Sequence, residues 1–287
     1  MNNHSNIKIN SILLPVENNH PSLHAIEFGV VIARNFNSKV KVLHVVPRNM
    51  IQSISDSDLQ DRLKEELKGH LEQSGRIAIT NAKAIFTEEG IPIETTLIEY
   101  GNLKEAILNT CNDFDLIIIG TDGEESTNVD PIIKAIIKNG NCNILVIKGK
   151  KTFDKVLVGY DGSEDSKTAL KYAGQICQKF GASLLIVNSK KSIFPVIRTK
   201  LTKERSEALL NEAKELIEGF NIDFRVQSIS QRPARGLSII AENENSGLII
   251  IGKKGRSLIH RLLIGSVSEK ITEIAKTSVL TVSSFRN

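Results

Sequence analysis

Residues 155–189 read KVLVGYDGSEDSKTALKYAGQICQKFGASLLIVNS and predict a strand, a helix and a second strand. The two ends, KVLVGY and SLLIVNS, are short β-branched runs without polar alternation, which is typical of strands buried on both faces of a parallel sheet. The segment 164–180 places its apolar residues at helical spacing, and Gly181 follows where a helix C-cap belongs. The apolar positions are Ala169, Leu170, Ala173, Ile176, Cys177 and Phe180.

The same pattern occurs earlier in the chain, which indicates an internal repeat. Residues 12–14 (ILL) align with residues 156–158 (VLV), 144 positions later, and Ala25 and Phe36 align in the same frame with Ala169 and Phe180. Further on, DLIIIG at 115–120 matches GLIIIG at 247–252, and CNILVI matches TSVLTV near the two ends. The changing offset indicates insertions within a retained repeat. We therefore predict two domains of one kind, 1–150 and 151–287.

The second copy continues as alternating helices and strands. We predict helix 202–219, strand 223–229, helix 234–244, strand 247–251, helix 266–276 and strand 278–282. Strands that alternate with helices indicate an α/β fold, here two tandem doubly wound sheets of five mostly parallel strands flanked by helices. Ligands of such sheets bind outside the carboxyl ends of the strands, where the strand order switches.

The composition excludes several functional classes. The 287 residues carry a net charge of +4 and are 40% hydrophobic and only 5% aromatic. No basic patch is interleaved with stacking residues, so nucleic-acid binding is not expected. No run approaches 18 apolar residues, and the polar N-terminus lacks an apolar signal core, so we expect a cytoplasmic protein that does not associate with membranes. Three cysteines without metal-ligand spacing predict buried, unpaired thiols.

The stretch IGKKGRSLIHRLLIGSV, residues 251–267, is the best candidate for a functional site. Gly252 follows a predicted strand, and glycine lets main-chain N–H groups turn toward a ligand. Ser266 begins a predicted helix, where its hydroxyl can act as the N-cap and the first-turn N–H groups can bind an anion. Arg256 and the lysines at 253 and 254 add positive charge, although a solvated pair of lysines is the simpler interpretation of the latter. These parts together suit a polyphosphate.

Two other phosphate motifs do not fit. GLIIIGKK resembles a P-loop, but it ends in Lys254 rather than Ser or Thr, and its central residues belong to a strand. No G-x-G-x-x-G follows the first strand of either copy, so the dinucleotide fingerprint is absent.

The spacing G-x2-G-x9-G-S, formed by Gly252, Gly255, Gly265 and Ser266, resembles the ATP-binding signature of the universal stress proteins. The segment VLVGYDGSEDSKTALKYA resembles the first strand and helix of that family, including the aspartate after the strand, Asp161. The closing SEKITEIAKTSVLTV resembles its last helix and strand, with Thr-Ser in place of the more usual turn that contains proline. The resemblance covers both copies and implies a tandem member with the fold of adenine nucleotide α-hydrolases.

The resemblance also implies roles for individual positions. Asp161 would lie near the ribose or adenine, the main chain of Val187 would bind the adenine edge, and Ile251 would pack on the base or sugar. The phosphates would be wrapped by Gly252, Gly255, Arg256, Gly265, Ser266 and Val267. The ligand would be ATP, or else ADP or AMP, and Mg²⁺ could accompany it. The family is described as nucleotide-binding, with weak or no hydrolysis, in stress survival.

The first copy departs from this pattern. No Gly-Ser follows Gly120 and Gly123 at the right distance, and the acidic residues Asp122, Glu124 and Glu125 replace the basic ones. Glu17 and Pro15 stand where the second copy has Asp161 and Gly159. We infer that the first domain has lost nucleotide binding and serves as a structural or regulatory partner.

Three functions fit the sequence. The first is a sensor in which the nucleotide stabilises one conformation or assembly. The second is a slow ATPase or nucleotide-using enzyme of the same fold, although no nucleophile–base pair is apparent. The third is an interaction scaffold with empty sites. The resemblance implies that the terminal strands NILVI and SVLTV pair antiparallel, which in a tandem chain gives an intrachain pseudo-dimer, and a homodimer of such chains is also possible.

Overall fold

The computed structural model describes residues 7–52, 58–121, 131–149, 152–190, 203–255 and 266–284. The strands of the first copy are β1 (Ser11–Pro15), β2 (Lys39–Pro47), β3 (Ile93–Gly101), β4 (Leu116–Thr121) and β5 (Ile144–Lys148). Its helices are α1 (His20–Phe36), α2 (Arg48–Gln52), α3 (Asp58–Glu88), α4 (Leu103–Thr110) and α5 (Pro131–Asn139). The second copy consists of β6 (Lys155–Gly159), α6 (Glu164–Phe180), β7 (Ser183–Ser189), α7 (Lys203–Ile217), β8 (Phe224–Ile229), α8 (Pro233–Asn243), β9 (Leu248–Gly252), α9 (Ser266–Ile274) and β10 (Ser278–Val282).

The predicted alternation of strands and helices is confirmed, and α6 shows why its limits could be read from the sequence. Ser163 is its N-cap, because the side-chain oxygen accepts a hydrogen bond from Ser166 N. At the other end Gly181 adopts a left-handed conformation with φ 63°, which costs glycine little. The helix and the strand that follows it therefore have the predicted limits.

The helix predicted over 202–219 ends differently. α7 stops at Ile217, and the chain continues as a 3-10 turn, Glu218–Phe220, that buries Phe220. Asn221, rather than Gly219, takes the left-handed conformation that ends the helix, with φ 51°. Asparagine tolerates this conformation, and here burial of the neighbouring aromatic side chain decides which residue adopts it.

Contacts divide the described chain into two units. The first unit, residues 9–121 and 131–142, contains a parallel sheet in the order β3-β2-β1-β4. Its α3 has 31 residues, against 15 for the corresponding α7. Because α3 is longer than α7, corresponding residues of the two copies are separated by fewer positions after the second strand of each copy.

The second unit starts at Asn143 and contains the sheet β5-β10-β9-β6-β7-β8. Its strands are parallel except for β5, which pairs antiparallel with β10 and places Val146 opposite Val279. The predicted pairing of the two terminal strands is thus confirmed. By sequence β5 closes the first copy, but by its contacts it belongs to the second unit. The domain boundary near residue 150 remains a prediction.

The three cysteines are buried, as predicted, and none of them forms a disulfide. Burial raises the pKa of the Cys177 thiol to about 12, so it stays protonated and unreactive near neutral pH. Within the described ranges, no helix is long and apolar enough to cross a membrane.

Candidate functional site

Two turns meet at the carboxyl edge of the second unit. β6 and β9 are neighbours in the sheet, with Val156–Val158 beside Leu248–Ile250. Because the strands are parallel, the residues that follow them emerge at the same edge. The turn after β6 carries Asp161, and the chain after β9 forms residues 252–255, which we call the glycine loop. The sheet therefore brings these two sequence-predicted parts of the site together.

The glycine loop is held by main-chain hydrogen bonds on both sides. Lys253 N donates to the carbonyl of Val282 at 2.8 Å, which ties the loop to the end of β10. Lys254 N donates to Asp165 Oδ2 at 2.8 Å, and Ser163 Oγ donates to the Lys254 carbonyl at 3.1 Å. The main-chain N–H and carbonyl of Lys254 are thus bound by the first turn and the N-cap of α6.

Asp161 lies directly over the end of this loop. Ser163 N donates to Asp161 Oδ1 at 3.0 Å, which orients the carboxylate at the start of α6. A Cβ atom at Gly255 would lie 2.9 Å from Asp161 Oδ2, closer than real Cβ contacts allow. Glycine at position 255 therefore lets the loop pass beneath the carboxylate without displacing the Asp161 side chain.

Gly252 is required for a different reason. A Cβ there would lie 2.7 Å from the main-chain carbon of Asp165, inside the first turn of α6. The first unit shows the same close approach at Gly120, whose Cβ would lie 1.8 Å from the Pro21 carbonyl oxygen. The first copy lacks the rest of the motif. Gly120 is therefore explained by the close packing of the strand against the helix and not by ligand binding.

The other predicted phosphate contacts lie around α9. The helix begins at Ser266, and Val267 packs its side chain against the hydrophobic core of the unit. Since α9 connects the carboxyl end of β9 to the amino end of β10, its N-terminus lies toward the same edge as the glycine loop. Arg256 and Gly265 fall outside the described residues.

Ile251 and Val187 are core residues in this structure. Both belong to one hydrophobic cluster, and their exposed fractions are 3% and 1%. The carbonyl of Val187 accepts a hydrogen bond from Tyr160 N at 2.9 Å, as part of the ladder between β6 and β7. The predicted contacts of these residues with a base or sugar are not tested by these positions and remain predictions.

Lys253 contradicts the interpretation of 253 and 254 as a solvated pair. Its exposed fraction is 6%, whereas Lys254 is half-buried. The hydrogen bond from Lys253 N to the Val282 carbonyl extends the strand pairing of β9 with β10 by one residue, and this carries Lys253 into the edge of the fold.

Two polar residues near the site, Asp165 and Asn188, were not predicted from the sequence. Asp165 is 3% exposed and binds the glycine loop, although as a first-turn acid it resembles an ordinary helix-start residue. Asn188, fully buried at the end of β7, donates to the Tyr160 carbonyl at 2.8 Å and accepts from Ser206 of α7 at 2.8 Å. The repeat could have revealed Asn188, because His44 aligns with it.

His44 forms the corresponding contact in the first unit. Its Nδ1 lies 2.9 Å from the carbonyl of Val16, the counterpart of Tyr160. A carbonyl only accepts, so Nδ1 donates there. Its ring packs against α3 at Gly75, where a Cβ would lie 2.2 Å from His44 Cδ2. In both copies a buried polar side chain on the second strand therefore fixes the turn after the first strand.

The opposite end of α9 is capped by a lysine. Lys148, at the end of β5, is 4% exposed, and its Nζ donates to the carbonyls of Thr272 and Ala275. These carbonyls lie at the negative end of the helix dipole. Desolvation lowers the pKa of Lys148 to about 8, against the opposing effect of Glu273. The last strand of the first copy therefore helps to hold the last helix of the second.

The first unit keeps the same local hydrogen bonds in the turn equivalent to that of Asp161. Glu17 N donates to Ser22 Oγ at 2.8 Å, and Asn19 caps α1, as Ser163 caps α6. A cavity of about 270 Å³ lies beside this turn and is lined by Glu17, Asn18, Asn19, His20, Leu23, Ile26, Ala78 and Asn81. The acidic residues at 122, 124 and 125 lie outside the described residues.

Metal binding by protein side chains alone has no support in the described part of the chain, where no group of three His, Cys, Asp or Glu residues could hold an ion.

The family model of the universal stress proteins matches this chain twice, over residues 8–148 and 152–283. The chain belongs to the universal stress protein family. Since the two matches cover both copies, it is a tandem member, as predicted.

Individual relatives agree with this assignment. A universal stress protein of Methanocaldococcus jannaschii is 29% identical over 84 residues, which are 29% of this chain and 49% of the relative. One from Methanothermobacter thermautotrophicus is 32% identical over 91 residues, 31% of this chain and 62% of the relative. The chain thus spans about half to three-fifths of the length of these relatives.

A solved structure extends the likeness to the whole fold. The crystal structure of a universal stress protein from Archaeoglobus fulgidus has a TM-score of 0.73 at 18% identity, and the match covers 96% of this chain and 97% of that one. At this identity the likeness concerns the fold alone. It supports the α/β architecture of this chain.

Proposed function

We propose that this universal stress protein binds one adenine nucleotide per chain at the carboxyl edge of its second copy and acts as a nucleotide-dependent sensor in stress survival. The observation that carries the proposal is the convergence of Asp161 and Gly255 over the ends of β6 and β9. Such an edge is where α/β sheets bind ligands. ATP, ADP and AMP all fit the proposal, with Mg²⁺ bound to the phosphates when it is present.

The hydrogen bonds of the glycine loop suggest which amides would contact the phosphates. The N–H groups of Lys253 and Lys254 are bound by Val282 and Asp165. The proposed phosphate donors are therefore the main chain from Gly255 onward and the first-turn amides of α9, at Ser266 and Val267. A helix N-terminus offers unpaired N–H groups and a positive dipole end. Arg256 and Gly265 complete the proposed phosphate site.

Asp161 suits the sugar rather than the phosphates. A carboxylate would repel a phosphate, but it accepts hydrogen bonds from the hydroxyls of a ribose. Asp161 Oδ2 lies close to the loop at Gly255, where a ribose between the base and the phosphates would lie.

The first copy is proposed to bind no nucleotide. Pro21 replaces Asp165, Glu17 replaces Asp161, and the Gly-Ser pair is missing. This copy then contributes to the pseudo-dimer by supplying β5 to the sheet of the second unit.

The test is isothermal titration with ATP, ADP and AMP, together with native mass spectrometry of the freshly purified protein. We expect a stoichiometry of one nucleotide per chain, and a loss of affinity of about tenfold or more in Asp161→Asn, since hydrogen bonds to a charged acceptor are worth roughly 1.5–3 kcal/mol. Glu17→Gln is the matched control and should bind like the wild type. Absence of binding by the wild type, or a larger loss in Glu17→Gln than in Asp161→Asn, would overturn the proposal.

Hydrolysis is measured in the same samples by release of phosphate. A sensor requires only a difference in affinity between two conformations or assemblies, so we expect little turnover. Rapid release of phosphate would instead favour a nucleotide-using enzyme.

A further inference from the structure

Asp165 joins three segments that are far apart in the chain. It lies in the first turn of α6, and both of its carboxylate oxygens accept hydrogen bonds from other elements. Oδ2 accepts from Lys254 N at 2.8 Å, and Oδ1 accepts from Ser284 N at 2.9 Å and from Ser284 Oγ at 2.6 Å. The start of α6, the glycine loop and the segment after β10 therefore share one side chain.

The carboxylate of Asp165 is buried, so it depends on its hydrogen-bond donors in the loop and after β10. Asp165 is 3% exposed, and a buried carboxylate must be compensated by donors. Three protein donors supply this compensation, and the N-terminal end of α6 adds a favourable dipole. Gly252 also packs against the main chain and Cβ of Asp165, so the start of α6 cannot move away from the loop without disturbing the strand end.

The first unit provides an internal comparison. Pro21 occupies the position of Asp165, and Gly120 approaches its main chain as Gly252 approaches that of Asp165. The close packing is thus the same in both copies, but proline has no carboxylate to accept a hydrogen bond from the following loop. The copy that has lost the Gly-Ser pair is also the copy without this acceptor.

We infer that Asp165 is a positioning residue that holds the glycine loop in its binding-competent form and couples it to the chain segment at Ser284. The functional part of this inference rests on the proposed nucleotide site. A loop held in place before binding does not have to be ordered by the ligand, so its affinity is higher. Coupling is reciprocal: a nucleotide that stabilises the loop also stabilises the segment at Ser284.

The first measurement is amide hydrogen exchange in the nucleotide-free full chain. In Asp165→Asn, the amide group directs N–H toward one of the former donors, so at least one hydrogen bond is lost. We expect exchange at Lys254 and Ser284 to accelerate by about tenfold or more, while the amides of β9 keep their protection. Glu164→Gln is the matched control, because it removes an exposed carboxylate from the same helical turn without touching the loop. Unchanged exchange at Lys254 in Asp165→Asn, or equal acceleration in Glu164→Gln, would overturn the inference.

The second measurement is the affinity for ADP. If the loop of Asp165→Asn is competent only one-tenth of the time, the Kd rises about tenfold, and Glu164→Gln should leave it unchanged. Ser284→Ala retains the bond to Lys254 and removes one donor from Oδ1, so we expect a two- to threefold rise in Kd, and this variant also serves if Asp165→Asn does not fold. An unchanged Kd in Ser284→Ala would refute the coupling. If the wild type binds no nucleotide, the proposed function fails, whereas the exchange at Lys254 still decides whether Asp165 holds the loop.

Discussion

At the scale of single residues, the two glycines that begin the motif have different physical roles. Gly252 lies against the backbone of α6, which cannot move aside, and Gly120 repeats this contact in the first copy. Gly255 lies against the end of a carboxylate side chain, which can rotate away. One glycine therefore serves the packing of the fold, and the other serves the position of Asp161.

Gly252→Ala should destabilise the protein whether or not nucleotide is present. The added methyl would lie 2.7 Å from the Asp165 main chain, and overpacking of this kind costs about 1–3 kcal/mol. Chemical denaturation measures the loss, and Gly120→Ala should show a comparable or larger one. A Gly252→Ala protein as stable as the wild type would contradict the packing role.

Gly255→Ala should affect binding more than stability. Its methyl displaces Asp161 Oδ2 by rotation of a side chain, so the free energy of unfolding should change by less than about 0.5 kcal/mol. The displaced carboxylate no longer meets the ribose, and we expect the nucleotide Kd measured by titration to rise. Equal losses of stability in Gly252→Ala and Gly255→Ala would show that the two glycines do not differ in role.

At the scale of secondary-structure elements, α9 is held at its C-terminal end by a side chain from another strand. Its N-terminus faces the proposed phosphate site, and its last carbonyls accept hydrogen bonds from Lys148 of β5. The lysine compensates the negative end of the helix, but its charge is buried, and this burial makes its contribution depend on pH.

The stability contributed by Lys148 should increase as the pH rises above 8. Burial lowers its pKa to about 8 in the folded chain, so between this value and the unfolded pKa the unfolded chain binds more protons. The free energy of unfolding of the wild type, relative to Lys148→Met, should therefore rise by about 1 kcal/mol from pH 7 to pH 9. Urea denaturation at several pH values measures this difference. A relative loss of wild-type stability over that range would mean that the carbonyl partners raise the pKa instead.

At the scale of the whole molecule, the tandem arrangement removes an exposed sheet edge. β10 would be an edge strand if the second copy were alone, but β5 from the first copy pairs with it through Ile144, Leu145 and Val146. Exposed edge strands invite association between chains. The tandem universal stress protein thus satisfies within one chain a pairing that a single copy would have to find in a partner.

Two fragments should show the role of β5. A fragment that begins at Thr152 lacks β5 and should self-associate through β10, whereas a fragment that begins at Asn143 keeps β10 paired with β5 and should associate less. Light scattering after size-exclusion chromatography measures their masses, and circular dichroism checks that both are folded. The same oligomeric state for both folded fragments would contradict this role of β5.

Local patterns by themselves determined the repeat, the α/β class and the limits of α6 and β7. These features depend on hydrophobic periodicity and on capping residues such as Ser163 and Gly181, which act within a few positions of the chain. The Gly-Ser motif and the aspartate after the first strand also pointed to the family for the same reason. Interactions between residues of the same helix or strand can be predicted from their spacing in the sequence.

Only the tertiary structure decided which residues hold the site together. Asp165 looks like an ordinary first-turn acid until the loop 89 positions later is folded against it, and Lys253 looks solvated until β9 pairs with β10. Ile251 and Val187 proved to be core residues, and β5 joined the sheet of the second unit. Each of these outcomes depends on contacts between distant segments, and such contacts are set by how the helices and strands pack rather than by local spacing.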